Sequence, residues 1–159
     1  MNPGTRRKGA GGRRVIDPNQ EPVPLRLIAM SGGVISPGVV ASLPLAAPMC
    51  DVEVVSAGIE ARPVHPLATR VMAEAGVDIS RQTTKTLAGL PQPFFDVVIT
   101  LCSHAARECP ALPGNPEPIH WNIPDPAGEG GADDVQYKRF CAVRDQVRQL
   151  VTDFFERGY

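Results

Sequence analysis

The chain reads as an α/β fold: a doubly wound, four-stranded parallel sheet with helices on both faces. Three observations carry that expectation. Short apolar runs alternate with helical stretches from residue 52 onward. Val97-Val98-Ile99-Thr100-Leu101 is apolar and β-branched without alternation, as in a strand covered on both faces. Phe140, Val143, Val147, Leu150, Val151 and Phe154 form one apolar stripe at helical spacing, opposite charged residues such as Lys138 and Arg148.

Each element has its own signal. Residues 1–24 hold RRKGAGGRR and then Asp-Pro-Asn-Gln-Glu-Pro, with little to bury, so a disordered tail is expected. The domain is expected over 25–159. Leu25 to Ala29 reads as a first buried strand, and Val52 to Val55 as a second, ending at Ser56-Ala57-Gly58. Pro66 to Ala75 predicts a helix, with Pro66 in its first turn and Gly76 as its stop. Val97–Leu101 is the third strand, Ile119–Trp121 the fourth, and residues 133–156 the last helix.

Composition limits the function classes. At 159 residues, 43% hydrophobic and 21% charged, one soluble globular domain is expected. The net charge of -1 offers no basic surplus for nucleic acid, and no nucleic-acid partner is expected. Residues 27–50 carry no charge and could span a bilayer by length, but Gly32-Gly33, Pro37, Pro44 and Pro48 interrupt them, so no membrane span is expected. Cys50, Cys102, Cys109 and Cys141 fit neither a disulfide scaffold nor a zinc spacing, which points to a reduced, cytoplasmic compartment.

Ligands of open parallel sheets bind beyond the carboxyl ends of the strands. Met30 onward, Ser56-Ala57-Gly58 and Cys102 should converge there. Ser31-Gly32-Gly33 suits a backbone anion cradle, or equally a plain turn. Cys102 and Cys109 lie seven residues apart in TLCSHAARECP. A helix between them would hold the sulfurs roughly 10 Å apart, so bonding them requires the segment to unwind. They read as a redox relay or as two half-buried structural thiols. Asp125, between prolines in Ile-Pro-Asp-Pro, is a general acid held over a pocket or an ordinary turn residue. His120 and Trp121 could line the same mouth, with Trp121 more suited to packing.

VEVVSAGIEA, EAGVDISRQTTKTL, FFDVVITLCSHAARECP and HWNIPDPA, in that order, resemble the low-molecular-weight protein tyrosine phosphatases. More closely, they resemble the thioredoxin-coupled arsenate reductases built on that fold, across residues 51–156. The Cys102–Cys109 pair followed by Pro110 is the most specific part. The resemblance implies reduction of arsenate to arsenite. A Cys-x5-Arg loop binds the oxyanion and its Cys attacks arsenic. Cys102 then releases arsenite, Cys109 closes a disulfide, and thioredoxin reduces it, with Asp125 as the acid. It also implies a monomer with no bound organic cofactor, and a potassium ion near the loop, with Ser56 and Asp78 as partial ligands.

The sequence departs from that pattern in the loop. Aligning Ser56 with the family serine puts Met30 at the nucleophile and Ser36 at the arginine, with Gly33 and Ser42 at two further family positions. A thioether has no ionisable proton, and without the guanidinium the bidentate clamp is lost. The loop Met30, Ser31, Gly32, Gly33 and Ser36 is therefore a degenerate anion site. A pair of compensating frameshifts over residues 30–50 accounts for this, as does a pseudo-enzyme that binds an anion or senses oxidants. A transfer of the nucleophile to Cys50 fits poorly, because Cys50 precedes the second strand. A tyrosine phosphatase would have no use for the Cys102–Cys109 pair.

Overall fold

Strand β1 (Leu25–Ser31) is an interior strand of the sheet, and its composition explains why: Leu25, Leu27, Ile28, Ala29 and Met30 are all buried. A computed structural model of the chain describes residues 25–31, 52–83, 85–90, 94–109, 111–128 and 130–157. The expected tail 1–24 and most of the expected anion loop lie outside the described residues. Around β1 run β2 (Val52–Gly58), β3 (Val97–Thr100) and β4 (Glu117–His120), in the order β2-β1-β3-β4 with every pair parallel.

The strands differ in length from the sequence expectation. β1 continues past Ala29 and β2 past Val55 because pairing persists to Ser31 opposite Gly58. β4 runs from Glu117 to His120 rather than over 119–121. The Trp121 amide still donates to the Thr100 carbonyl at 2.8 Å, but its ring turns into the core and meets Phe154 edge-on at 6.3 Å. A 3-10 turn at Leu87–Gly89, which no pattern announced, follows a segment tied to the end of β2 by Gly58 N–H to the Lys85 carbonyl at 2.7 Å.

Helices cover both faces. Leu25, Leu27 and Ala29 pack with Val97, Ile99 and Leu101 beneath the long helix that ends the described chain, α3 (Asp133–Glu156), through Val143, Val147, Val151 and Phe154. Ile28, Met30 and Val98 point the other way, toward Ala105 of the short helix α2 (Ser103–Glu108). This alternation is the two-residue period of a strand expressed on two apolar faces.

Helix α1 (Pro66–Glu74) begins where expected and stops just before Ala75. The His65 Nδ1 accepts from the Leu67 amide at 3.2 Å, and Gly76 takes the left-handed turn at φ 79°. Ala68, Val71 and Met72 bury against Phe140 of α3. Arg144 reaches the Val71 carbonyl at 3.3 Å, and the Tyr137 hydroxyl donates to Glu74 at 2.5 Å. Glu74, with a lesser contribution from Cys141, pushes the Tyr137 phenol up to about 12.

The amino ends of three strands meet at Asp96. Its carboxylate accepts from the Arg26 amide at 2.9 Å. Its own amide donates to the Arg26 carbonyl at 2.8 Å, and its carbonyl accepts from the Glu117 amide at 2.8 Å. Among the described residues no helix is long and apolar enough to cross a membrane.

Ile99 is 0% exposed at the centre of the main cluster. Ile99→Ala is expected to lower unfolding free energy by about 2–5 kcal/mol, measured by urea denaturation, through lost burial and a residual cavity.

Candidate functional site

β2 lies on one side of β1 and β3 on the other, so the strand order reverses at β1, and ligands of open parallel sheets bind beyond the carboxyl ends at such a point. Met30 is flanked there by Ala57 and Thr100, and its carbonyl accepts from the Leu101 amide at 2.8 Å. The three expected segments do converge: the end of β1, Ser56–Gly58, and Cys102 just beyond β3. Met30 is only 1% exposed, and its Sδ accepts the Cys109 thiol at 3.4 Å. The residue at position 30 therefore faces Cys109.

Cys102 and Cys109 bracket α2. Cys102 occupies the N-cap in extended conformation, its Sγ accepting from the Ala105 amide at 3.4 Å in the place a Ser or Thr hydroxyl commonly takes. Cys109 is the C-cap. Both are half-buried against the Ile28, Met30, Phe95 and Val98 cluster. Burial pushes the Cys109 thiol above its ordinary value. With α2 formed, the Cα atoms stand roughly 10 Å apart, beyond the reach of a disulfide, so a bond between them requires α2 to unwind.

Asp125 is exposed in the loop after β4. Its Oδ1 accepts from the Ala127 amide at 3.0 Å, and its carbonyl from the Gly128 amide at 3.3 Å, so the loop curls around its own carboxylate. Trp121 is a core residue, as its packing role implied, and His120 is exposed with Nδ1 at 2.9 Å from Thr100 Oγ1.

A charged rim went unrecognised in the sequence. Glu60 and Arg62 pair at 2.8 Å in the loop after β2. Arg62 holds the Glu60 carboxyl below its ordinary range, with His104 adding to the effect, while Glu60 and then Asp125 raise Arg62. Groups from the loops after β2 and β4 and from α2 thus share one field. Each follows the carboxyl end of a strand, which was the available signal. Beside Arg62 opens a cavity of about 550 Å³ lined by Thr69, Ser80, Gln82 and Thr83, where Gln82 Oε1 is buried without a donor among the described residues.

The expected potassium ligands Ser56 and Asp78 both lie among the described residues. Ser56 is buried at the end of β2, whereas the exposed Asp78 accepts from the Ser80 amide at 2.8 Å and closes its own turn. Hydrogen bonds from Ser80 hold its carboxyl below the ordinary value. Among the described residues no three His, Cys, Asp or Glu side chains cluster to hold a metal. Gly32, Gly33, Ser36, Ser42, Cys50 and Pro110 lie outside the described residues, as does the Ser31 side chain.

Two outcomes follow from the cysteine geometry. Mild oxidation should link Cys102 to Cys109 in peptide mass mapping, with a loss of helical signal from α2; two thiols that stay free would mark them as structural. A thiol with a raised folded-state pKa contributes stability fully below the unfolded value, about pH 8.5, and loses it as pH rises through the folded value. Stability should therefore fall above about pH 8.5, and Cys109→Ser should flatten that fall, read by thermal melts.

Comparison with known proteins agrees with this arrangement. The profile of the low molecular weight phosphotyrosine protein phosphatases matches residues 44–157. The arsenate reductase of Halalkalibacterium halodurans is 44% identical over 106 residues, covering 67% of this chain and 76% of that protein. An arsenate reductase in an oxidised state superposes with a TM-score of 0.68 at 26% identity, over 83% of this chain and 97% of that one. Another, in a phosphate-binding state, superposes at 0.66 with 25% identity, over 85% and 99%. The chain belongs to the low-molecular-weight phosphotyrosine protein phosphatase family and, within it, to the arsenate reductases.

Proposed function

We propose that the chain carries the reducing half of a cytoplasmic arsenate reductase, while residues 30 and 36 as they stand do not supply its opening step. Reducing arsenate to arsenite consumes two electrons. Cys102 and Cys109 would deliver them by closing a disulfide, and thioredoxin would restore the dithiol by thiolate exchange. Asp125, beside Arg62 on the rim, would donate the proton to the departing oxygen.

The observation that carries this reading is the seat of Met30. Its side chain is buried at the switch point with its sulfur against Cys109. An attacking thiolate would stand at this position, beside the cysteines of the relay, yet a thioether has no proton to lose and cannot form the first arsenic–sulfur bond. Ser36 has no guanidinium to clamp an oxyanion. Binding of oxyanion without turnover is the second reading: a pseudo-enzyme whose dithiol senses oxidants, favoured by two thiols that bracket a helix they must unwind to join.

The genetic code leaves room for a decoding origin. ATG followed by a TCN serine codon contains TGT, a cysteine codon, one base on. In the same frame, a TCG codon for Ser36 followed by the proline codon contains CGC, an arginine codon. One shifted frame therefore accommodates Cys-x5-Arg at positions 30 and 36, provided Val34 is GTC or GTT.

The chain as written should show no arsenate-dependent NADPH oxidation with thioredoxin and thioredoxin reductase. Met30→Cys combined with Ser36→Arg should create it. The gene read in all three forward frames over codons 27–52 should show the Cys-x5-Arg if decoding is the cause. Turnover by a Cys50→Ser variant that keeps Met30 would refute the reading, because it would reveal a nucleophile elsewhere.

A further inference from the structure

Met30 Sδ and Cys109 Sγ lie 3.4 Å apart, brought together from the end of β1 and the C-cap of α2. The relay described above has no use for the thioether. We infer that this sulfur pair is a binding site for a soft monovalent cation, Cu(I) in kind, held between one thiolate and one thioether. The inference goes beyond arsenate chemistry and does not require it.

Donor chemistry is the first argument. Thiolate and thioether sulfurs are soft ligands that select Cu(I) over hard ions. The second is charge. Among the described residues apolar side chains surround the pair: Ile28, Ala57, Phe95, Val98 and Ala105 are buried around it. One thiolate, one thioether and one monovalent cation sum to zero, so the loaded site holds no net charge. A divalent ion would leave an uncompensated positive charge among those side chains, which is costly. Arsenite prefers several thiolates and gains little from a thioether.

Geometry permits it. Metal–sulfur bonds of about 2.3 Å span the present gap only at a bent angle, and a straight arrangement needs the sulfurs to part by about 1 Å. The three rotors of a methionine side chain can supply that displacement. Cys102 is the rival partner, but its sulfur caps the opposite end of α2 against the Ala105 amide. Loading exchanges one proton for one cation: the Cys109 S–H bond breaks, a sulfur–metal bond forms, and the proton goes to solvent. Met30 donates a lone pair, and no atom changes oxidation state.

The test uses Ag(I), a redox-inert probe of the same softness, on the full-length chain carrying Cys50→Ser, Cys102→Ser and Cys141→Ser. Methionine methyl groups are labelled for NMR, and Met30 is assigned by Met30→Leu, a substitution of similar volume. One equivalent of Ag(I) should shift the Met30 methyl resonance, and competition with a soft chelator should show affinity falling at least tenfold in Met30→Leu. Cys109→Ser should abolish tight binding. Equal affinity in a folded Met30→Leu protein would overturn the site. So would a Met30 resonance that stays still while Ag(I) binds. With Cys102 restored, binding that becomes independent of Met30 would assign the cation to the dithiol instead and likewise overturn it. Arsenate turnover plays no part in any of these readouts.

Discussion

Double pairing of β1 is the constraint on which the rest depends. It hydrogen-bonds to β2 on one side and β3 on the other, and its side chains fill apolar layers on both faces. Because β1 is interior, its carboxyl end lies between those of β2 and β3. Everything that reads as chemistry hangs from that point: the Met30 carbonyl held by Leu101, the Met30 sulfur against Cys109, and Cys102 at the start of α2. A central strand buried on both faces tolerates little change in volume, so the position of these groups is set by packing before any ligand arrives.

The order of the elements was legible because periodicity is a local signal. The stripe of α3 is buried at Phe140, Val143, Val147, Val151 and Phe154 as the spacing implied, and Leu150 at its edge is half-buried. Strand ends were less legible, since β2 continues through Ser56-Ala57-Gly58 only by pairing with residues far away in sequence. In the candidate site, Cys102 and Cys109 stood out by type and spacing. The Met30–Cys109 contact did not, because it joins residues 79 apart. Nor did the field shared by Glu60, Arg62, His104 and Asp125, which only the sheet order brings together. Asp78, singled out by motif, also closes its own turn through the Ser80 amide.

Family likeness in sequence and likeness in fold have different extents. The family profile begins at residue 44, yet the fold continues back to Leu25, with β1 in register beside β2 and β3. Strand β1 needs only apolar side chains to take its place, a demand many sequences meet. Chemistry is more exacting than burial. A methionine fills the end of β1 as well as another side chain of its volume, but its thioether has no proton to lose.

Asp96 gives the sheet an asymmetry along its strands. Its carboxylate, amide and carbonyl stitch together β1, β3 and β4 at their amino ends, on the side away from Cys102 and Cys109. The layered sheet is thereby pinned at its base, like a fan held at the rivet. Those hydrogen bonds lie at the opposite end of the strands from α2, so unwinding that helix would break none of them.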